Sequence, residues 1–184
     1  MTAGVVLAAG LSSRMGRVKA LLPIEGTTFL ERLISIYTSC CDPVIVVLGH
    51  GADEIRPVTR GAQVVVNHDF KLGMFSSLQT GLRAVPQGAS ALFQPVDYAL
   101  VLHETVALLA VTKASLVIPC FEGERGHPVK IGPSIIAELL ELPPESQARD
   151  VIRGHYHEAE FLDVKDPGVV RDIDTPEDYQ RWIG

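Results

Sequence analysis

Residues Gly4–Gly26 read GVVLAAGLSSRMGRVKALLPIEG, and this stretch decides the fold. Val5–Leu7 is apolar without polar alternation, the pattern of a strand covered on both faces of a sheet. The run breaks into small residues, Ala8, Ala9, Gly10, Ser12 and Ser13, and then releases Arg14, Arg17 and Lys19. Three cations here face the single anion Glu25, so the loop is a local basic patch. Small residues let backbone N–H groups approach a phosphate after a strand. Arg14 can fork onto phosphate oxygens, and Lys19 supplies a compact charge. Five residues separate Gly10 from Gly16 and no glycine precedes Lys19, so this is neither a Walker A loop nor GxGxxG. Lone glycines would suit a solvated turn equally well; strand, small residues and cations in that order favour an anion site.

The rest of the chain alternates in the same way. Thr28-Phe29-Leu30-Glu31 is a capping box opening a helix to about Tyr37, with Phe29, Leu30, Leu33, Ile34 and Tyr37 as its apolar stripe. Strands are expected at Val44–Leu48, Gln63–Asn67, Ala91–Val96, Leu116–Pro119, His127–Ile131 and Ala159–Val164. Helices are expected at Phe75–Ala84, Glu104–Thr112, Ser134–Glu141 and Gln147–Arg153, and a last one begins after Thr175-Pro176. This βα alternation predicts an α/β, doubly wound, mostly parallel Rossmann-like sheet with helices on both faces. A small antiparallel insertion is expected near residues 120–131. Ligands of such sheets bind beyond the carboxyl ends of the strands. That rule selects the loop after Leu7, the loop after Asn67, the Asp97 junction and the Asp174 junction.

At 184 residues the chain is expected to form one domain, 1–184. A hydrophobic fraction of 47% excludes a disordered class, and a net charge of -6 argues against nucleic acid and anionic membrane as partners. Basic residues gathered on an acidic chain suit a small polyanion. No apolar run approaches the roughly 18 residues of a membrane span, because Asp97, His103 and Glu104 interrupt the best one. The N-terminus lacks a basic secretory n-region. Three cysteines without CxxC spacing read as reduced thiols of a cytoplasmic protein, not as a zinc site.

Five segments in order resemble the MobA-like nucleotidyltransferases, and more narrowly their molybdenum cofactor cytidylyltransferase branch. LAAGLSSRMGRVK resembles the signature LAAGxSxRMGxxK, and Asn67-His68-Asp69-Phe70 with Gly73–Leu78 resembles the second nucleotide-facing loop. PVDYALV, RGHPVKI and DIDTPEDY resemble the remaining three motifs. The resemblance implies transfer of CMP from CTP to molybdopterin with release of pyrophosphate. It places Leu7, Ala8, Ala9, Gly10, Ser12, Ser13, Arg14, Lys19, Asn67, Gly73, Met74, Ser76 and Ser77 on the nucleotide. LAAG and GMFSS, where the guanylyl branch reads LAGG and GPLAG, favour cytidine.

Nucleotidyl transfer is obstructed mainly by repulsion between anions, so positioning and charge neutralisation carry the chemistry. Arg14, Lys19 and Asp97 are the expected catalytic residues; an ionised phosphate acceptor needs no general base. Mg2+ needs one or two carboxylates besides phosphate and water. Asp97, directly after an apolar strand, can supply one, and the resemblance implies Asp174 as the other. Arg125 and His127 are the expected acceptor contacts, and a molybdenum hydroxylase apoenzyme is the implied receiving partner. Asp172 and Asp178 read as structural. The family places proline two residues after the metal-binding aspartate, whereas Ala99 stands here, which bears on acceptor identity. Two alternatives stay open: transfer to a sugar phosphate or other phosphorylated acceptor, and a cofactor-binding maturation factor without catalysis.

Overall fold

The computed structural model describes residues 1–184. Ten strands and seven α-helices follow one another along the chain. They are β1 (Thr2–Ala8), β2 (Pro23–Ile24), β3 (Thr27–Thr28), α1 (Phe29–Thr38), β4 (Val44–Leu48), α2 (Ala52–Ile55) and β5 (Gln63–Val66). Then come α3 (Met74–Leu82), β6 (Ser90–Pro95), α4 (His103–Val111), β7 (Leu116–Phe121), β8 (Glu124–Arg125) and β9 (Val129–Ile131). The chain closes with α5 (Pro133–Glu141), α6 (Ala148–Gly154), β10 (Ala159–Asp163) and α7 (Pro176–Trp182).

The main sheet runs β10-β7-β9-β6-β1-β4-β5, with β8 folded back on β7. β1 lies at its heart, parallel to β4 on one side and β6 on the other. Successive residues of a strand face opposite ways, and β1 shows the result. Val6 and Ala8 enter the core under α1 and α4, while Val5 and Leu7 enter the core under α3 and α5. The absence of polar alternation in Val5–Leu7 therefore reflects two apolar layers, one on each face.

Both capping boxes form: Thr28 with Glu31 opens α1, and Thr175 with Asp178 opens α7. Asp178, read as structural, has its carboxyl held below the usual range by the Thr175 hydroxyl and backbone N–H. The antiparallel feature lies near residues 120–131, as expected, and reaches deeper into the sheet than an insertion would. A hairpin does form at β7–β8, but β9 is an interior strand, antiparallel to both β6 and β7. It starts at Val129 rather than His127. Its Lys130 is buried and donates to the carbonyls of Ala110 and Thr112, where it serves the carbonyl-rich end of α4. The small β2–β3 hairpin and the short α2 had no strong sequence signal. No helix is long and apolar enough to cross a membrane.

Candidate active site

The loop after β1 is built around Ser12, whose φ of 52° turns the chain back on itself. Its carbonyl accepts from the Gly16 N–H at 3.0 Å, and its hydroxyl accepts from the Lys19 N–H at 3.2 Å. Met15 is buried and anchors the loop to the core. Gly10 faces open space: a Cβ there would meet nothing within 4 Å. The loop thus delivers Lys19 to a fixed place while its outer edge stays clear.

Two carboxylates meet that lysine from distant parts of the chain. Asp97 follows β6, and Asp174 precedes the N-cap of α7. The Ile173 N–H donates to the Asp97 carbonyl at 3.0 Å, which ties the two segments together. The Lys19 ammonium donates to Asp97 Oδ2 at 2.9 Å and also to Asp174 Oδ1. The Arg14 guanidinium pairs with the other oxygen of Asp174. Burial pushes the Asp97 carboxyl above its ordinary pKa; Lys19 pulls it back only in part, and Asp174 and Asp172 add to the rise. Burial draws Lys19 down, but Asp97 and Asp174 outweigh it and leave the ammonium more firmly protonated than usual.

Asp97 Oδ1 is buried without a hydrogen-bond donor. A desolvated carboxylate oxygen is costly unless paired, and a hard divalent cation shared with phosphate oxygens is the chemistry that satisfies it. No set of three or more His, Cys, Asp or Glu side chains converges anywhere in the chain. Two carboxylates fit a hard divalent ion whose other ligands are substrate oxygens and water. Asp97 and Asp174 are the residues able to hold it.

Above Lys19 and Asp97 opens a cavity of about 330 Å³. Leu7, Ala8, Ala9, Gly10, Ser12, Gly73, Met74 and Ser77 line it together with Lys19 and Asp97. Strand-end residues, a small-residue loop and a helix start so share one hollow. The sequence model of the MobA-like NTP transferase domain matches residues 4–160. The chain belongs to the MobA-like NTP transferase family. It is 25% identical, over 95% of its length and 92% of the relative's, to the molybdenum cofactor cytidylyltransferase of Escherichia coli. It is 31% identical, over 98% and 95%, to nicotine blue oxidoreductase of Paenarthrobacter nicotinovorans. The crystal structure of Rv0371c from Mycobacterium tuberculosis superposes with a TM-score of 0.85 at 29% identity, covering 97% of this chain and 96% of that one. A second structure of Rv0371c, a complex with manganese, gives a TM-score of 0.80 at 27% identity over 99% and 97%. The protein is thus an enzyme of the nucleotidyltransferase type.

Some of the expected site residues of this MobA-like enzyme stand elsewhere. Asn67 is buried and bonded on both sides. Its Nδ2 donates to Ser76 and Ser77 hydroxyls at 2.9 and 3.0 Å, and its Oδ1 accepts from the Asp69 N–H at 2.9 Å. Ser76 in turn donates to the Gly73 carbonyl at 2.8 Å. Asn67 and Ser76 brace the start of α3, and of this set only Ser77 reaches the cavity wall. Ser13 lies in an adjoining depression with Arg17, His50 and Glu54, which shares Leu11, Ser12 and Val18 with the cavity. Arg14 stays at the site through its Asp174 pair, on the outer edge, with 71% of its side chain exposed. Phe70, from the segment the resemblance placed on the nucleotide, lines the cavity, and beside it so does Lys71, which the sequence reading does not name. A lone cation beside the Asn67–Asp69 motif was the only available signal for Lys71.

A second cavity, of about 390 Å³, shares Leu7, Gly73, Met74 and Pro95 with the first. His127 lines it, packed at 4.6 Å from the Tyr98 ring and 6.0 Å from that of Phe93. Burial pulls its pKa down to about 4, so the imidazole is neutral near pH 7. Arg125 lines neither cavity. Its guanidinium stacks on Tyr156 and Phe161, 4.6 and 5.0 Å from the ring centroids, pinning the β7–β8 hairpin to the β10 edge. This cation–π packing gives Arg125 a structural role outside both cavities.

Proposed function

We propose that this MobA-like enzyme transfers CMP from CTP to the phosphate of molybdopterin, releasing pyrophosphate, with Mg2+ held by Asp97 and Asp174. The observation that carries the reading is the meeting of Lys19 with both carboxylates at the floor of the cavity, beside the unpartnered Asp97 Oδ1. Cations and acidic groups gathered at one point fit a triphosphate with its counter-ion. When bound, the divalent ion supplies neutralisation of phosphate charge.

In the proposed reaction an acceptor phosphate oxygen forms a bond to the α-phosphorus of CTP, and the bond from that phosphorus to the bridging oxygen of the β-phosphate breaks. The bond's electron pair leaves with pyrophosphate. Lys19 offsets the charge on the departing group from within a buried setting, where a fixed cation acts more strongly than in water. Arg14, at the exposed edge, forks onto the outer phosphates. The incoming triphosphate competes with the two carboxylates for the Lys19 ammonium. Ser77 and Met74 face the nucleoside end, and LAAG with GMFSS favours cytidine there. The second cavity, which shares Leu7 and Gly73 with the first, takes the acceptor, with neutral His127 in its wall. The product passes to a molybdenum hydroxylase apoenzyme. Free thiols at Cys40, Cys41 and Cys120 agree with a cytoplasmic setting.

The test is a pyrophosphate-release assay with CTP, GTP, ATP and UTP, each with and without molybdopterin. Release is expected with CTP and molybdopterin together, and about 10²-fold less of it in Lys19→Ala. CTP binding without release for any acceptor would instead indicate a maturation factor. Release with CTP and a different phosphorylated acceptor would keep the reaction and change the substrate.

A further inference from the structure

The turn that carries Asp97 has little hydrogen bonding of its own. Within it the Tyr98 N–H reaches the Pro95 carbonyl at 3.3 Å and the Val101 N–H reaches the Tyr98 carbonyl at 3.4 Å, both long. The short bonds come from outside. Arg32 Nη1 donates to the Ala99 carbonyl at 2.6 Å and to the Val101 carbonyl at 2.8 Å. Gln94 Nε2 donates to the Tyr98 carbonyl at 3.2 Å. Gln94 Oε1 accepts from the Tyr37 hydroxyl at 3.0 Å, so this fully buried amide has partners at both ends. Arg32 and Tyr37 both belong to α1, and Arg32 is further held by Glu25 at 3.3 Å.

We infer that Arg32 and Gln94 are positioning residues for the Asp97 carboxylate. This role presupposes that Asp97 meets metal and phosphate, as proposed above. A proline two residues after such an aspartate would set the turn covalently by fixing φ. Ala99 offers only a methyl group, fully buried, and leaves φ free. The guanidinium fork compensates by holding the two carbonyls that flank Leu100, from a side chain only 15% exposed. Gln94 holds the carbonyl next to Asp97 itself. Helix α1 therefore sets the angle at which the carboxylate enters the cavity, without touching substrate. A shift of the order of 1 Å in a reacting group can cost about 10²-fold in rate, so a clamp of this kind has catalytic consequences.

Arg32→Met and Gln94→Leu test the assignment by hydrogen exchange at the amides of residues 98–101, together with kcat, KM for CTP and melting temperature. The clamp predicts about tenfold faster exchange confined to the turn and about tenfold lower kcat, with KM within about twofold. Arg32→Lys should recover part of the kcat, and Ala99→Pro should recover it in the Arg32→Met background. Folded variants with wild-type kcat and wild-type turn exchange would overturn the assignment. So would a lowered melting temperature with unchanged kcat per folded molecule, the signature of a merely structural bond. If Arg32→Met fails to fold, Gln94→Leu decides on the same readings, since it removes one amide and leaves Arg32 in place. A wild-type enzyme silent with every nucleotide would defeat the proposed function, and exchange at residues 98–101 would then decide the clamp alone.

Discussion

The loop after β1 and the aspartate turn meet at the Lys19–Asp97 salt bridge, yet they are built in opposite ways. The loop from Gly10 to Val18 carries its functional groups on an exposed edge and is closed by its own Ser12. The turn from Asp97 to Val101 is largely buried, and its carbonyls are held by Arg32, Gln94 and the Ile173 N–H. Gly168 presses against it from the C-terminal segment, where an added Cβ would lie 2.3 Å from the Leu100 carbonyl oxygen. A group that follows a flexible triphosphate can stand on an open loop. In the proposed function Asp97 serves a small ion with strict ligand geometry, a task that calls for support from several elements. The comparison teaches that the two halves of the site should fail differently when altered.

The largest effect should come from the turn. Asp97→Asn removes one negative charge at nearly constant shape and is expected to lower pyrophosphate release by about 10³-fold, with folding retained. A steady-state assay beside a melting curve checks it; wild-type turnover would place the chemistry elsewhere. Next, Gly168→Ala forces a methyl group onto the Leu100 carbonyl and should cost about 3 kcal/mol in denaturant unfolding, because backbone cannot rotate away.

His127 sharpens the same comparison through pH. Its folded pKa, about 4, lies below the ordinary value of 6.5 because burial disfavours the imidazolium. As pH falls the unfolded chain takes the proton first, so stability is held above pH 6.5 and lost between there and about pH 4. The loss should reach about 3 kcal/mol and vanish in His127→Phe, measured by urea unfolding across that range. A wild-type profile as flat as the variant's would show that water reaches the ring.

The loop should yield the smallest changes in stability. Gly10→Ala has room for its methyl group and should unfold within about 0.5 kcal/mol of wild type, while the methyl narrows the phosphate approach and raises KM for CTP. Arg14→Ala, with the side chain mostly exposed, should likewise leave the melting temperature unchanged and lower kcat/KM by about tenfold. Equal destabilisation in Gly10→Ala and Gly168→Ala would erase the distinction between the two regions.

Much of this was legible in the chain. Val5–Leu7 and Val44–Leu48 declared strands because a sheet covered on both faces needs apolar side chains at every position. Thr28-x-x-Glu31 and Thr175-x-x-Asp178 declared helix starts because capping is local chemistry. Lys19 and Asp97 could be named because one lies in the loop that leaves β1 and the other just after β6, at the edge of the sheet where such folds bind ligands. The bracing role of Asn67 at the start of α3 was not legible, because an amide beside a cavity and an amide bracing a helix look identical in sequence. The stacking of Arg125 was not legible either, because its aromatic partners, Tyr156 and Phe161, lie outside its own segment.

By itself, then, the sequence determined the order and kind of the elements and the residue types at the strand ends, because hydrophobic period, caps and turn chemistry act over a few residues. Only the tertiary structure decided that β9 enters the sheet between β6 and β7, and that Asp174 joins Asp97 on one lysine. It alone placed Arg32 and Gln94 on the carbonyls of the aspartate turn. Those contacts join groups far apart along the chain, and their geometry exists only once the two apolar layers have packed.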